Sequence, residues 1–404
     1  MGLIYYDAMH IISDQKGSVY HGGGYFGFAL LAKLMDKFEG KDIVLLWKKG
    51  YQPTTDIEQT TYNDPRLKKE FITDYTDISY PDNSVLFLPM LYFVSKPLME
   101  QLRQVKRKNR TLRIVATIHD IRIVSCLKYD KYDRYYKSSL FKFFGSYVKN
   151  SIKAKAATHG LLRIHEVVDT IFTVSNYSMQ QLVKHTNVQD INWFFQNIDQ
   201  SCGMEPVDEL QERNFVLFVS GNRNVKNFVR TLDAYLDALE KGYTALPMYV
   251  TGNKAEIETI VERFLKSEKA SETRLDYCRR YVHCLGFVSE RQMQWLYAKC
   301  RLLLYTSKYE GFGIPACNAI LYGTPVLSSN YTSIPEACGA VSVYADPYSK
   351  DSICSAVRLL SDESYYSDIR HKTEEYAPIL RRLLDFGSDI MAEKLYSYRI
   401  DISN

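Results

Sequence analysis

Leu302-Leu303-Leu304-Tyr305-Thr306-Ser307-Lys308-Tyr309-Glu310-Gly311-Phe312-Gly313-Ile314-Pro315 reads as a buried strand, a glycine-containing turn and the opening of a helix. The apolar run Leu302 to Tyr305 has strand length, and Pro315 suits a first helical turn, where its missing N–H leaves no hydrogen bond unmade. Gly311 and Gly313 let the main chain approach a ligand with no Cβ in the way. Ser307 and Glu310 also spell the Ser-x-x-Glu signature of a capped helix start. A helix begun there would carry Gly311, Gly313 and Pro315 inside it, at about 1 kcal/mol for each glycine and about 3 kcal/mol for the proline. The helix is therefore expected at Pro315, and Glu310 becomes a carboxylate ahead of an anion-binding turn, suited to sugar hydroxyls.

The same strand-to-helix pattern extends in both directions. Phe215 to Ser220, Met248 to Thr251, Val282 to Phe287 and Pro325 to Ser328 are further strand candidates, and helical patterns follow the first three. One such helix carries Phe228, Leu232, Tyr235, Leu236 and Leu239 on one face and closes at Gly242; another starts at Ser289 with Gln292 three residues on. Upstream, Leu3 to Tyr6, Ile43 to Trp47, Ser84 to Leu88, Ile114 to Ile118 and Thr170 to Val174 read as strands, with helices beginning near Tyr25, Pro97 and Ser178. Such alternation predicts α/β architecture with parallel sheets, because parallel strands need crossover connections. Two Rossmann-like domains are expected, 1–200 and 201–387, with the boundary between Asn192 and Glu212, where periodicity lapses. A closing helix, Ser388 to about Tyr398 within 388–404, is expected to pack back on the first domain.

Composition sets broad limits. The 404 residues are 46% hydrophobic and 24% charged, an ordinary globular balance long enough for two cores. The longest apolar run, Val85 to Val94, contains Pro89 and is about half of the roughly 20 residues needed to cross a bilayer. No secretory leader is apparent, and Tyr6 stands where a myristoylation signal needs Ser or Thr. The scattered cysteines form no Cys-x-x-Cys, which points to reduced thiols and a cytoplasmic setting. A formal charge of +4 does not by itself imply nucleic acid, and no nucleic-acid partner is expected. Two basic clusters stand out. One runs from Lys96 to Arg113; the other, Arg134 to Lys155, is interleaved with Tyr135, Tyr136, Phe141, Phe143, Phe144 and Tyr147. The second reads either as an interfacial helix on anionic lipid or as the surface of a long helix.

Gly221-Asn222-Arg223-Asn224-Val225-Lys226-Asn227 links a strand to a helix and sets two cations at a helix N-terminus. The helix dipole disfavours cations there unless an anion lies between them, so Arg223 and Lys226 are candidate diphosphate ligands. His21-Gly22-Gly23-Gly24-Tyr25 opens a helix after the first strand and reads as a phosphate cradle or a flexible loop. Ile118-His119-Asp120 ends the strand from Ile114, at the edge where ligands collect in a doubly wound sheet. Ser175 or Asn176 can cap the helix after Val174, and Ser333 with Glu336 spells another capping box.

From Leu285 to Pro347 the chain resembles glycosyltransferase family 4. The resemblance rests on Leu285-Gly286-Phe287-Val288-Ser289, on Glu310 to Pro315, on Gly323-Thr324-Pro325-Val326 and on Pro335-Glu336, in that order and spacing. A weaker likeness, chiefly to mannosyltransferase-like members, runs along nearly the whole chain. It implies a GT-B fold, two Rossmann-like domains facing across a cleft, and transfer of a sugar from a nucleotide-sugar with retention of anomeric configuration. By the same resemblance Glu310 contacts the donor sugar, the backbone of Phe312, Gly313 and Ile314 meets the diphosphate, and Arg223 and Lys226 neutralise it. Gly23 and Gly24 correspond to a loop reaching the donor diphosphate, while His119 and Asp120 face the donor sugar and acceptor. A second family Glu that holds the ribose is replaced by Asn318, which lacks the charge-assisted bond. Glu336 reads either as the partner of Ser333 in a capping box or as a donor contact. The implied acceptor is a glycan or a lipid-linked sugar in surface polysaccharide assembly. No cofactor is implied, and the chain has no Asp-x-Asp, so metal-bridged diphosphate binding is not expected. The competing reading is a degenerate GT-B protein with a binding or regulatory role, for which Asn318 speaks. A dehydrogenase would need a Gly-x-Gly-x-x-Gly directly after the first strand and an acidic residue about 20 further on, at the end of the next; Gly22 to Gly27 has the spacing, but Asp7 to His21 separate it from the first strand, and Ile43 to Trp47 ends on Lys48 and Lys49.

Overall fold

The computed structural model describes residues 2–12, 22–91, 95–125, 131–198, 200, 202–208, 210 and 212–399. It divides into two units. Unit 1 takes Met1–Ser125, Ile152–Asn197 and Leu383–Asn404, and unit 2 takes Cys126–Ser151 and Ile198–Arg382. The segment 131–151, which the sequence places in the first domain, thus clusters with the second: Tyr132 and Tyr135 belong to its hydrophobic core.

Unit 1 is built on seven parallel strands: β1 (Ile4–Asp7), β2 (Ile43–Lys48), β3 (Lys68–Ile72), β4 (Val85–Leu88), β5 (Arg113–Thr117), β6 (Thr170–Thr173) and β7 (Asp190–Trp193). Their order is β3-β2-β1-β4-β5-β6-β7. The chain moves outward one way from β1 and then the other way from β4, so the switch point lies between these two strands. Ligands gather beyond the carboxyl ends of strands at such a point. β1, β4 and β6 are buried at every residue, as strands covered on both faces by crossover helices must be.

Unit 2 repeats the arrangement with six parallel strands: β8 (Val216–Phe218), β9 (Met248–Thr251), β10 (Val282–Gly286), β11 (Leu302–Tyr305), β12 (Val326–Ser329) and β13 (Val343–Ala345), in the order β10-β9-β8-β11-β12-β13. Its switch point lies between β8 and β11. The Phe228–Glu240 helix, buried along most of its length, packs in the core with Val250, Leu304 and Leu327.

The closing helix differs from expectation. It runs unbroken from Glu363 to Ser397 with Pro378 inside it, so Ser388 lies within a helix begun 25 residues earlier by the numbering, 388 − 363. Its last turns and the residues after them belong to unit 1. Phe38 and Tyr396 stack with centroids 3.6 Å apart, Tyr398 donates to Asp190 at 2.9 Å, and the Arg399 guanidinium, 1% exposed, pairs with Asp42 at 2.7 Å. Gly387 permits the close approach, since a Cβ there would fall 2.5 Å from the Phe195 carbonyl oxygen. Gly2 N–H donates to the Arg399 carbonyl, and Arg399 Nη1 donates to the Gly2 carbonyl at 3.3 Å, closing the two ends of unit 1 on each other.

Among the described residues no helix is long and apolar enough to cross a membrane. In the first basic cluster Arg103 pairs with Glu166 and Lys106 with Asp169. In the second, the Leu140–Arg163 helix exposes Val148 (56%) and Ile152 (64%), with Lys142, Lys149, Lys153 and Lys155 exposed on the same element.

Candidate active site

In unit 2 the loops after β8 and β11 meet at the switch point. After β8 the chain makes a short 3-10 turn, Asn224–Lys226, and Asn227 then adopts a left-handed conformation (φ 67°) before the helix at Phe228. Asparagine tolerates that conformation because its short amide bonds locally. Here its Nδ2 donates to the carbonyls of Thr306 (3.1 Å) and Pro347 (2.7 Å), and Lys308 N–H donates to the Val225 carbonyl at 2.9 Å. The two loops are therefore stitched together by the backbone before any charge is considered.

Lys226 and Glu310 come together in this framework. Lys226 Nζ donates to Glu310 Oε1 at 2.7 Å, with the side chains 7% and 16% exposed, and lies 4.9 Å from the Tyr305 ring centroid. Burial pushes the Glu310 carboxyl up, but Lys226 and the Tyr305 hydroxyl more than reverse this, leaving it below its ordinary value and ionised. Burial, then Glu310, push the Tyr305 phenol well up, so it stays protonated as a donor.

No helix starts at Ser307. The Ile314–Leu321 helix has Gly313 as its N-cap residue at φ 126°, which a side-chain-bearing residue rarely adopts, and Pro315 in its first turn. The Glu310 loop is held from the next crossover: Glu310 N–H donates to Thr332 Oγ1 (3.2 Å), and the Ser333 hydroxyl lies within hydrogen-bonding distance of the carbonyls of Glu310 (2.9 Å) and Phe312 (3.0 Å). Ser333 makes no side-chain cap for the Ile334–Cys338 helix, so the capping box expected with Glu336 is not formed; the loop carbonyls occupy its hydroxyl instead. Lys308 is nearly fully buried and pairs with Asp133 of the 131–136 turn, 3% and 2% exposed.

Asn318, 5% exposed, is one helical turn beyond Ile314, and its Nδ2 donates to the Ile314 carbonyl at 3.3 Å. Its Oδ1 accepts from Gln200 Nε2 at 3.2 Å, and Gln200 in turn accepts from Arg381. Arg223 is exposed, with no side-chain partner among the described residues, so the structure separates the two cations that the sequence treated alike.

In unit 1, Gly23 and Gly24 are buried in the first turn of the Gly22–Phe38 helix rather than in a loop; His21 and the approach from Asp14 to Gly17 lie outside the described residues. His119 follows β5, is 9% exposed, and meets the edge of Phe26 at 4.7 Å between centroids. Burial lowers its pKa to about 4, so the ring is neutral at physiological pH, and its buried Nε2 has no hydrogen-bond partner among the described residues. Its carbonyl accepts from Ser178 Oγ (3.2 Å), while Ser175 caps the Asn176–His185 helix through Ser178 N–H. Asp120 Oδ1 accepts from Arg122 N–H at 2.9 Å, the capping contact of a short helix, Arg122–Ser125.

Tyr305, Thr332, Gln200, Arg381 and Asp133 are not singled out by the sequence, and Ser333 is singled out only as a helix cap. Lys308 carries a signal, a cation two positions before Glu310 in a stretch that otherwise holds no charge from Leu302 to Tyr309.

Two doubly wound parallel sheets, the second with a buried Lys–Glu pair before a glycine-capped helix N-terminus, define a protein of the GT-B class. The fold matches the Anabaena HepE structure, solved in complex with UDP and glucose, at TM-score 0.64 over 98% of this chain and 100% of that one; at 13% identity the likeness is one of fold. Residues 204–379 match the family described as glycosyl transferases group 1. It is 26% identical over 272 residues to the O-antigen chain mannosyltransferase B of Escherichia coli, covering 64% of each chain. It is 24% identical over 223 residues to the serotype-specific mannosyltransferase WbdA of Escherichia coli, covering 51% of this chain and 26% of that one. The matched region thus spans just under two thirds of the first relative and about a quarter of the second.

Proposed function

We propose that the chain is a retaining hexosyltransferase that moves a mannose-like sugar from a nucleotide diphosphate sugar to a glycan or lipid-linked acceptor in surface polysaccharide assembly. The observation that carries this reading is the buried Lys226–Glu310 pair at the N-terminus of the Ile314–Leu321 helix. A helix N-terminus with a cation beside it suits a diphosphate, and an ionised carboxylate one turn away suits sugar hydroxyls. The mannosyltransferase relatives support the choice of sugar.

The reaction is a front-face displacement. The acceptor oxygen bonds to the anomeric carbon as the bond to the phosphate oxygen breaks, the bonding pair leaves with the diphosphate, and that oxygen takes the acceptor's proton. Lys226, Arg223 and the backbone at Phe312, Gly313 and Ile314 stabilise the charge that develops there. Glu310 orients the donor sugar, and His119, neutral and with an open nitrogen, hydrogen-bonds a sugar hydroxyl. No metal takes part, so transfer survives EDTA.

The test is incubation of the purified protein with a panel of UDP- and GDP-sugars, followed by chromatography of the released nucleotide. Turnover of one hexose donor, lost in Glu310→Ala, supports the enzyme reading. Binding of a nucleotide with no turnover of any donor supports the degenerate one. The Leu140–Arg163 helix supports a peripheral contact with anionic membrane, since Val148 and Ile152 are exposed beside Lys149 and Lys153. Flotation with anionic vesicles at low salt detects it, and Val148→Asp with Ile152→Asp abolishes it.

A further inference from the structure

Beyond the residues used above, unit 1 holds a second polar cluster at its switch point. Asp7 ends β1, is 0% exposed, and spends both oxygens locally: Oδ1 accepts from Met9 N–H at 2.9 Å, and Oδ2 lies 2.6 Å from His10 Nδ1. Tyr75, 1% exposed, places its hydroxyl 3.1 Å from the same nitrogen and hydrogen-bonds to Asp7. Nδ1 is thereby committed as the donor to the carboxylate, which fixes the tautomer. The imidazole side chain is 43% exposed, and its Nε2 has no partner among the described residues.

A fully buried carboxylate needs compensation, and a half-exposed ring held by it is a costly way to end a strand. Its position gives it a use. The turn carrying His10 packs on the Gly22–Phe38 helix, where a Cβ on Gly27 would lie 2.7 Å from Ile11 Cγ2, and Tyr6 donates to the Gly27 carbonyl at 2.6 Å. Phe26 of the same helix touches His119, whose Nε2 is also unmatched. Two imidazoles with open Nε2 atoms thus flank the opening of one helix, beyond the carboxyl ends of β1 and β5.

We infer that His10, oriented by Asp7 and Tyr75, binds a hydroxyl of the acceptor sugar. This rests on the transferase reading above. A hydroxyl fits because its oxygen can accept from Nε2–H or its proton can be given to a neutral Nε2; Asp7, despite partial burial of the ring, raises the His10 pKa and so favours the donating form. The arrangement holds the acceptor oxygen; the departing diphosphate still takes the proton.

The experiment measures donor hydrolysis and transfer to methyl glycosides of the common hexoses, in the whole protein, for wild type, His10→Leu, His10→Gln and His10→Arg. Expected is an acceptor KM raised about tenfold in His10→Leu, with kcat and donor hydrolysis within about threefold, and a KM near wild type in His10→Gln, whose amide also gives and takes. Equal melting temperatures exclude a folding effect. Unchanged acceptor KM in His10→Leu, or rescue by Arg in place of Gln, overturns the assignment, the latter in favour of an anionic ligand. Donor hydrolysis without transfer to any methyl glycoside also overturns it. Failure to consume any nucleotide-sugar instead overturns the transferase reading on which it rests.

Discussion

Removing Asp133 alone should damage unit 2 far more than removing the whole Asp133–Lys308 pair. Asp133 lies 175 positions before Lys308 in sequence, yet both side chains are almost inaccessible, at 2% and 3% exposure. The neighbours hold the 131–136 turn in place: Tyr132 donates to Asp233 at 2.6 Å, and Arg230 lies 4.6 Å from the Tyr132 ring centroid. Asp133→Ala leaves the ammonium in a site from which water is excluded. Breaking a buried pair on one side costs about 3–5 kcal/mol, while replacing both partners with apolar groups of similar size is near neutral or stabilising. The expected order in urea titrations followed by tryptophan fluorescence is wild type close to Asp133→Leu/Lys308→Met, with Asp133→Ala lower by about 3–5 kcal/mol. The expected interaction energy across the cycle is of the same size. Because Lys308 sits two residues before Glu310 and its N–H bonds Val225, donor turnover in the folded fraction of Asp133→Ala should also fall. A single-variant loss below about 1 kcal/mol, the range of exposed pairs, would mean that the pair is not held out of water.

Three further outcomes follow from the site. Lys226 keeps Glu310 ionised below its ordinary value, so the acid limb of kcat/KM in wild type should lie below pH 4.5; Lys226→Met should move it upward and cut transfer about 10²–10³-fold, as a pH profile would reveal. For His119 the folded pKa of about 4 lies under the unfolded 6.5, so the unfolded chain binds the proton first; stability is full above pH 6.5 and falls as pH drops towards 4, by about 3 kcal/mol. Denaturation of His119→Gln across that window should lack this component; parallel curves for variant and wild type would count against it. Asn318→Glu should tighten UDP or GDP binding about fivefold in calorimetry by adding a charge-assisted bond, and weaker binding would mean that the Gln200 contact governs the position.

The central strands were legible because both their faces are covered, which leaves unbroken apolar runs such as Leu302–Tyr305 and Met248–Thr251. The strands that sequence reading missed, β3, β7 and β13, all lie at sheet edges. β3 is Lys-Lys-Glu-Phe-Ile, with Phe71 50% exposed, and an edge strand of that kind carries charge where a central one carries Val or Leu. The Glu363–Ser397 helix was read only from Ser388 because Pro378 and a run of charged residues interrupt its apolar stripe. In the site, local turn chemistry was enough to bring out Glu310, Gly313 and the Gly221–Asn227 turn. Which cation meets Glu310 is not legible, since Arg223 and Lys226 sit at opposite ends of the short Asn224–Lys226 turn and only its fold decides that Lys226 is buried while Arg223 is exposed. Nor was the role of Ser333: its hydroxyl has two possible uses, a helix cap or loop carbonyls, and only the packed structure decides between them.

The clasp between Gly2, Asp42 and Arg399 has a consequence in time. During synthesis, all seven strands of unit 1 have been made once Trp193 leaves the ribosome, but the residues that close the unit are not made until unit 2 has followed. At 5–20 residues per second, that is a wait of roughly ten to forty seconds. Throughout it, Phe38 lacks the ring of Tyr396, Asp42 lacks its guanidinium and the Phe195 backbone lacks the helix that crosses it at Gly387. The unit that begins first is completed last, and a nascent chain halted before Leu383 would expose that unfinished face to chaperones or to another chain.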